Sequence, residues 1–355
     1  MGPRTPSPAG ARRWALVVAA ALVLTGLSAP QPGLASGADG DPEAELASAL
    51  TGYLATRSGR YSITVRELDG EQRSLSLSGA RTSDPASTIK LFYAWAALRA
   101  ADEGTLALTT RLKSGVTVGS CLTVMIQISD NPCAVDLRTR LGMSNLNRLF
   151  ADEGFTGTYL VLDSKGRYVT KRTSSDDLAL LLSRLEQGTL LSEAGTTQLT
   201  RRLLAQIWRQ RISSGVAEGT VVASKSGQLW LSSGMVEADA AIIHGEHSTY
   251  VLTVIGTHGA TGTTVRGIST IVYRYLQGDF AVRASFPARQ YVTTAKVKLQ
   301  KSPGGKLVRY LPKGAAVQVL SSNRLWMRVT WGNRTGWVPI QKLALRDAYR
   351  WPSPD

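Results

Sequence analysis

Asp84-Pro85-Ala86-Ser87-Thr88-Ile89-Lys90-Leu91-Phe92-Tyr93-Ala94-Trp95-Ala96-Ala97 decides how this chain reads. Aspartate followed by proline predicts a helix start. Asp84 can accept from a free N–H of the first turn, and Pro85 has no N–H to lose there. The apolar run from Leu91 to Ala101 then predicts a buried helix, stopped by Gly104. Ser87 and Lys90 are three residues apart, so they share a face, with Ser87 in the first turn near the positive end of the helix. A serine hydroxyl is a weak nucleophile until a base sits beside it. Lys90 can be that base only where burial or a second cation lowers its pKa. Ser-x-x-Lys alone also fits an ordinary helix start followed by a solvated lysine.

Two later tripeptides strengthen the enzymatic reading. Ser129-Asp130-Asn131 falls between two helical stretches, where a loop can present a hydroxyl into a cleft. Ser129 is assigned a proton relay to a leaving nitrogen. Asn131 has an amide that both donates and accepts, which suits a substrate amide. All three residues are also good helix caps, and for Asp130 that internal role is preferred. Lys225-Ser226-Gly227 follows the β-type run Thr220 to Ala223. At a sheet edge, Lys225 and Ser226 would face a substrate carboxylate, and Gly227 would let the substrate backbone come close. The N–H groups of Ser87 and Gln228 would then converge on a developing oxyanion. A solvated edge-strand turn is the bland alternative.

In this order the motifs resemble the class A β-lactamase branch of the penicillin-recognising serine enzymes. The resemblance spans roughly residues 43–280 and includes Met125-Ile126-Gln127-Ile128 before Ser129. It implies that Ser87 is acylated, that Lys90 and Ser129 handle protons, and that Asn131 orients substrate. It also implies that Lys225 and Ser226 hold a carboxylate. One departure stands out. The family carries a glutamate and an asparagine in an omega-shaped loop that activate the deacylating water, yet residues 141–172 contain no Glu-x-x-Leu-Asn. The acids there are Asp152, Glu153 and Asp163, none in a matching context. The resemblance therefore implies acylation without an evident means of fast hydrolysis.

The wider pattern predicts an α+β fold. Helical spacing runs from Glu43 to Thr56. Tyr61 to Leu68 and Ser74 to Ser78 alternate as a hairpin around Asp69-Gly70. The middle is helical to about Gln210, broken by the polar stretch Arg167 to Ser175. Strands return at Ala238 to Ile243 and Tyr250 to Ile255, and Thr263 to Leu276 reads as a closing helix. Strands at both ends with helices between them predict an antiparallel sheet closed by its termini, plus a helical lobe. Past Phe280 short alternating runs are separated by Pro303-Gly304-Gly305, Pro312-Lys313-Gly314 and Gly332-Asn333, which predicts a small all-β barrel. This stretch resembles a bacterial SH3-like domain, with Lys313-Gly314, Trp326 and Gly336-Trp337-Val338 as the matching features. That resemblance implies attachment to the cell wall.

The expected organisation is a signal peptide at 1–35, a linker at 36–42 and the enzyme-like domain at 43–280. A linker at 281–289, the SH3-like domain at 290–346 and a tail at 347–355 follow. Arg4, Arg12 and Arg13 precede an apolar run from Trp14 to Leu27 and a small-residue stretch, the layout of a secretory signal. A retained N-terminal anchor is the alternative. The paired arginines also fit twin-arginine export, although the residues after them match poorly. The chain carries a formal charge of +15, and most of it lies past residue 280, where fourteen basic residues stand against Asp347 and Asp355. Outside a cell the available polyanions are peptidoglycan or other anionic envelope polymers and lipid headgroups; no nucleic-acid reader motif is present. Solubility alone is the plainer reading of that charge. Cys121 and Cys133 bracket the Ser129 motif and either pair in an oxidising compartment or stay as buried thiols. His244, Glu246 and His247, with His258 nearby, suggest a metal, but they fall at a hairpin tip between Ile243 and Tyr250, where no helix puts two imidazoles on one face, so no metal or cofactor is expected.

Three functions compete on this reading. The first is an exported serine hydrolase opening a β-lactam or a related amide through acyl-Ser87. The second is a D-alanyl-D-alanine peptidase acting on peptidoglycan. The third is a non-catalytic wall-binding protein.

Overall fold

The computed structural model describes residue 2 and residues 42–285 and 289–345. The expected leader (Gly2 apart), residues 36–41 of the linker and the tail lie outside them. Helix α1 (Pro42–Leu54) leads into the hairpin of β1 (Arg60–Glu67) and β2 (Ser74–Leu77). A 3₁₀ turn (Ala86–Ile89) runs into α2 (Lys90–Asp102), followed by α3 (Val118–Gln127), α4 (Asn131–Leu141) and α5 (Met143–Asp152). A short hairpin of β3 (Tyr159–Leu162) and β4 (Tyr168–Arg172) separates these from α6 (Ser175–Glu186) and α7 (Glu193–Leu204). Strands β5 (Val221–Leu231), β6 (Gly234–His244) and β7 (Thr249–Thr257) then form a meander before α8 (Gly262–Gln277).

The main sheet has the order β2-β1-β7-β6-β5, so the first and last strands of the domain meet where β1 pairs antiparallel with β7. Its residues alternate between two faces. Tyr250, Leu252 and Val254 of β7 pack toward α1 and α8, while Val251 and Ile255 face the helical lobe. From Lys90 to Leu98 every residue of α2 is buried, as a helix apolar on all sides should be. Phe92 and Trp95 meet Phe150 and Phe155 in ring contacts at 5.2–6.1 Å. That aromatic block packs α2 against α5 and the segment just after it.

Three expectations need correction. Ser87 lies on the 3₁₀ turn, not in the first α-helical turn, because Asp84 Oδ1 accepts from Ala86 N and tightens the entry. Lys225-Ser226-Gly227 sits inside β5, whose eleven residues extend well past Ala223; full burial of Lys225 and Ser226 suits a strand despite their polarity. The helical middle is interrupted earlier than the polar stretch Arg167 to Ser175 suggested, because the β3–β4 hairpin already begins at Tyr159.

The C-terminal strands are β8 (Arg289–Thr293), β9 (Val297–Gln300), β10 (Leu307–Leu311), β11 (Ala316–Asn323), β12 (Trp326–Trp331), β13 (Arg334–Pro339) and β14 (Leu343–Leu345). They pair in the order β10-β9-β13-β12-β11-β8-β14. The sheet therefore ends on β10 and β14, and among the described residues it does not close into the expected barrel. Leu299, Leu311, Met327, Val329 and Val338 fill its core, which is continuous with that of the helical lobe.

Candidate active site

Ser87 and Lys90 project together from the turn that starts α2, since residues three apart eclipse in a 3₁₀ turn. Lys90 Nζ lies 3.1 Å from both Ser87 Oγ and Ser129 Oγ. It donates to Ser129 O at 2.6 Å and to Asn131 Oδ1 at 2.7 Å. A neutral amine has two N–H bonds and one lone pair. The two carbonyl oxygens take both N–H bonds, and the lone pair is left for a hydroxyl proton. Burial brings the Lys90 pKa down to about 7, against the pull of Asp130 and with help from the Lys171 cation.

The Ser129 loop is held from several sides. Asp130 Oδ1 accepts from Cys133 N at 2.8 Å and so caps α4. Cys121 of α3 and Cys133 of α4 are joined by a disulfide that spans the loop. Ser129 has φ = 64° and Ala86, just before Ser87, has φ = 49°. Non-glycine residues reach that left-handed region at a cost, and the surrounding bonds keep them there.

Lys225 is fully buried, and its Nζ lies 3.2 Å from Ser129 Oγ and donates to Ser226 O at 2.7 Å. It lies in the edge strand of the sheet, where the sequence reading put it, but it is buried and does not line the cleft, unlike the solvated turn of the bland alternative. Burial first, then Lys90, pushes its pKa well below the usual lysine value. Ser226 Oγ reaches Gln206 Oε1 at 3.3 Å and still lines the cleft. Gly227 faces the 3₁₀ turn. A Cβ there would lie 2.6 Å from Ser87 N, so the close approach it permits is between strand and turn. Gln228 lines the cleft, and its side chain donates to Glu237 Oε1 at 2.8 Å.

The cleft holds about 570 Å³ and contains Ser87, Ser129, Asn131 and Ser226–Gln228 together. Motif reading missed its opposite wall, formed by Trp208, Arg211 and Arg266. Arg211 is paired with Glu237 and points a cation into the same space. Only the basic character of the segment after α7 could have signalled it. A smaller recess of about 240 Å³ opens beside Ser87 and Lys90 and is lined by Tyr93, Tyr168 and Lys171. Among the described residues neither space is lined by an aspartate or glutamate.

The three acids of residues 141–172 are spent elsewhere. Glu153 pairs with Arg99 and Arg184, Asp163 pairs with Arg167, and Asp152 borders a separate groove. Lys171, held by Asp84 at 3.0 Å, puts an ammonium on the wall of the smaller recess. His244 faces Glu186 at 3.3 Å, His258 Nδ1 lies 2.9 Å from Thr257 Oγ1, and among the described residues no group of three potential metal ligands converges.

The sequence profile of the Beta-lactamase enzyme family matches residues 45–276. The chain belongs to that family. It is thereby a serine hydrolase of the β-lactamase type, a class that acts on cyclic amides. Solved structures share its fold. A point mutant of PBP-A, caught as an acyl-enzyme complex with penicillin G, is 24% identical; the match covers 65% of this chain and 96% of that one, with a TM-score of 0.60. The TLA-1 extended-spectrum β-lactamase is 17% identical over 66% of this chain and 99% of its own, with a TM-score of 0.61. A reconstructed ancestral class A β-lactamase is 22% identical over 64% and 98%, with a TM-score of 0.57. No curated protein matches the chain.

Proposed function

We propose that the protein opens β-lactams or related amides by acylating Ser87 and releases the acyl group slowly. Ser87 Oγ attacks the carbonyl carbon as its proton moves to Lys90 Nζ. The proton then passes through Ser129 Oγ, close to both lysines, to the leaving nitrogen as the amide C–N bond breaks. Ser226, with Arg211 beside it, receives the substrate carboxylate, and Asn131 its amide. The observation that carries this reading is the pairing of a built nucleophile–base unit with a cleft that, among the described residues, no carboxylate lines. A positioned general base contributes on the order of 10²–10⁴-fold, so its absence prolongs the acyl-enzyme.

The same missing base favours a second reading, a D-alanyl-D-alanine peptidase whose natural acyl donor is a peptidoglycan stem. In either case the protein works outside the cytoplasm, exported by its N-terminal signal. Its basic, SH3-like C-terminal part would hold it on the wall. A fluorescent penicillin tests the enzyme reading. Labelling at Ser87 that persists for many minutes supports slow release; release within seconds indicates an efficient β-lactamase; no labelling leaves a non-catalytic wall-binding protein. Full-length protein should sediment with isolated cell walls, and protein lacking residues 290–355 should not.

A further inference from the structure

Among the described residues, three polar ties between the C-terminal part and the helical lobe lead to the Ser129 loop or the helices beside it. Tyr291 of β8 is buried and donates through its hydroxyl to Ala205 O at 2.8 Å, just past the end of α7. The residues that follow Ala205 grip both walls of the cleft. Ile207 N donates to Gln127 O at 3.1 Å and Trp208 Nε1 to Ile128 O at 3.3 Å, which fixes the loop immediately before Ser129. Gln206 Nε2 donates to Ser224 O at 3.1 Å, and its Oε1 accepts from Ser226 Oγ, which fixes β5.

A second tie comes from the β11–β12 turn. Arg324 Nε faces Asp130 Oδ2 at 3.9 Å, and Asp130 is 4% exposed while Arg324 is 46% exposed. Next to Arg324, Leu325 packs on the apolar cluster, and its carbonyl accepts from Ile340 N at 2.8 Å. Gln341 Nε2 adds a bond to Ser120 Oγ of α3 at 3.0 Å. The sheet therefore braces α3, the serine loop and the segment after α7 at once.

From this geometry we infer that the C-terminal sheet is part of the catalytic unit, with Tyr291 and Arg324 as positioning residues that hold Ser129 and Ser226 in register with Ser87. Neither touches substrate. Tyr291 acts through residues 205–208, and Arg324 acts through Asp130, whose other oxygen caps α4. A strained Ser129 gains most from such bracing, because its left-handed backbone relaxes when the neighbours that impose it let go. The sheet would then serve acylation as well as any attachment it provides, and this inference rests on the acyl-serine reading above.

Single-atom and charge variants in the full chain separate this role from simple stabilisation. Tyr291→Phe keeps the ring and its packing and removes only the donor. Arg324→Gln removes the charge, and Arg324→Lys restores it. The readouts are the second-order rate constant for labelling by a fluorescent penicillin, taken well below the melting temperature, and the melting temperature itself. Tyr291→Phe should slow labelling about fivefold, the size that one neutral hydrogen bond corresponds to, in protein that remains fully folded. Arg324→Gln should slow it about threefold, as for a modest ion pair, with recovery in Arg324→Lys. If both variants melt lower yet label at the parent rate, the sheet is a structural appendage and the inference fails while the enzyme reading stands. If the parent protein does not label at all, the enzyme reading falls and this inference with it.

Discussion

Acylation of Ser87 should switch on as Lys90 loses its proton. Burial carries the Lys90 pKa from 10.5 down to about 7, with Lys171 adding to the fall and Asp130 opposing it. At pH 7 about half of the amine is then neutral, against roughly 3 parts in 10⁴ at the ordinary value. The pocket makes the base on the order of 10³-fold more available at neutral pH. Lys90→Arg keeps a cation within reach but cannot give up its proton in this range. That variant should acylate on the order of 10³-fold more slowly and lose the dependence on pH. Lys171→Gln removes a cation that helps expel the proton and frees the Asp84 carboxylate it now pairs with. Both changes favour the ammonium, so the acid limb should move to higher pH. Stopped-flow labelling with a fluorescent penicillin from roughly pH 5 to 9, around the shifted lysine pKa, reads all three proteins. A flat profile for the parent, or a Lys90→Arg variant that labels near the parent rate, refutes Lys90 as the base.

Further tests follow from single contacts. Gly227→Ala would place a methyl carbon 2.6 Å from Ser87 N, so β5 must draw away from the nucleophile turn. Acylation should fall on the order of 10²-fold as the oxyanion donors separate, and an unchanged rate would show the packing to be loose. Cys121→Ser removes the link across the Ser129 loop. It should cost about 3 kcal/mol in denaturant unfolding and also slow acylation; parent-like values for both would contradict that role. Glu67 is buried, which alone would raise its pKa, yet hydrogen bonds from Arg73 and Ser248 bring it from 4.5 down to about 2. The folded value lies below the unfolded one. Its contribution to stability is therefore complete above about pH 4.5 and lost as the pH falls through about 2. Arg73→Ala should shift the acid-unfolding midpoint, followed by circular dichroism, to higher pH; an unmoved midpoint would count against that linkage.

Local patterns carried much of this fold, and tertiary burial decided the rest. The β1–β2 hairpin and α2 were legible because alternation around Asp69-Gly70 and an unbroken apolar run are signals within a few residues. The length of β5 was not, since Lys225 and Ser226 interrupt the apolar run and a buried lysine in a strand looks like a solvated turn. The β3–β4 hairpin was missed for a similar reason: its second strand ends in Thr170, Lys171 and Arg172 and is half-buried. The motifs located Ser87, Lys90, Ser129 and Asn131. Gln206, Trp208 and Arg211 come from an irregular segment with no periodicity, placed beside the cleft by bonds to Ser224 and Ile128. Whether a run of short strands closes depends on which edges meet, and residue order does not encode that directly. Here β10 and β14 stand at opposite ends of the sheet.

The most direct test of the whole account is to mix the full-length protein with benzylpenicillin, quench it and map the digest by mass spectrometry. One adduct of the drug's full mass on the peptide that carries Ser87, absent from Ser87→Ala, is the predicted result. An unmodified protein, or an adduct on any other residue, would contradict it.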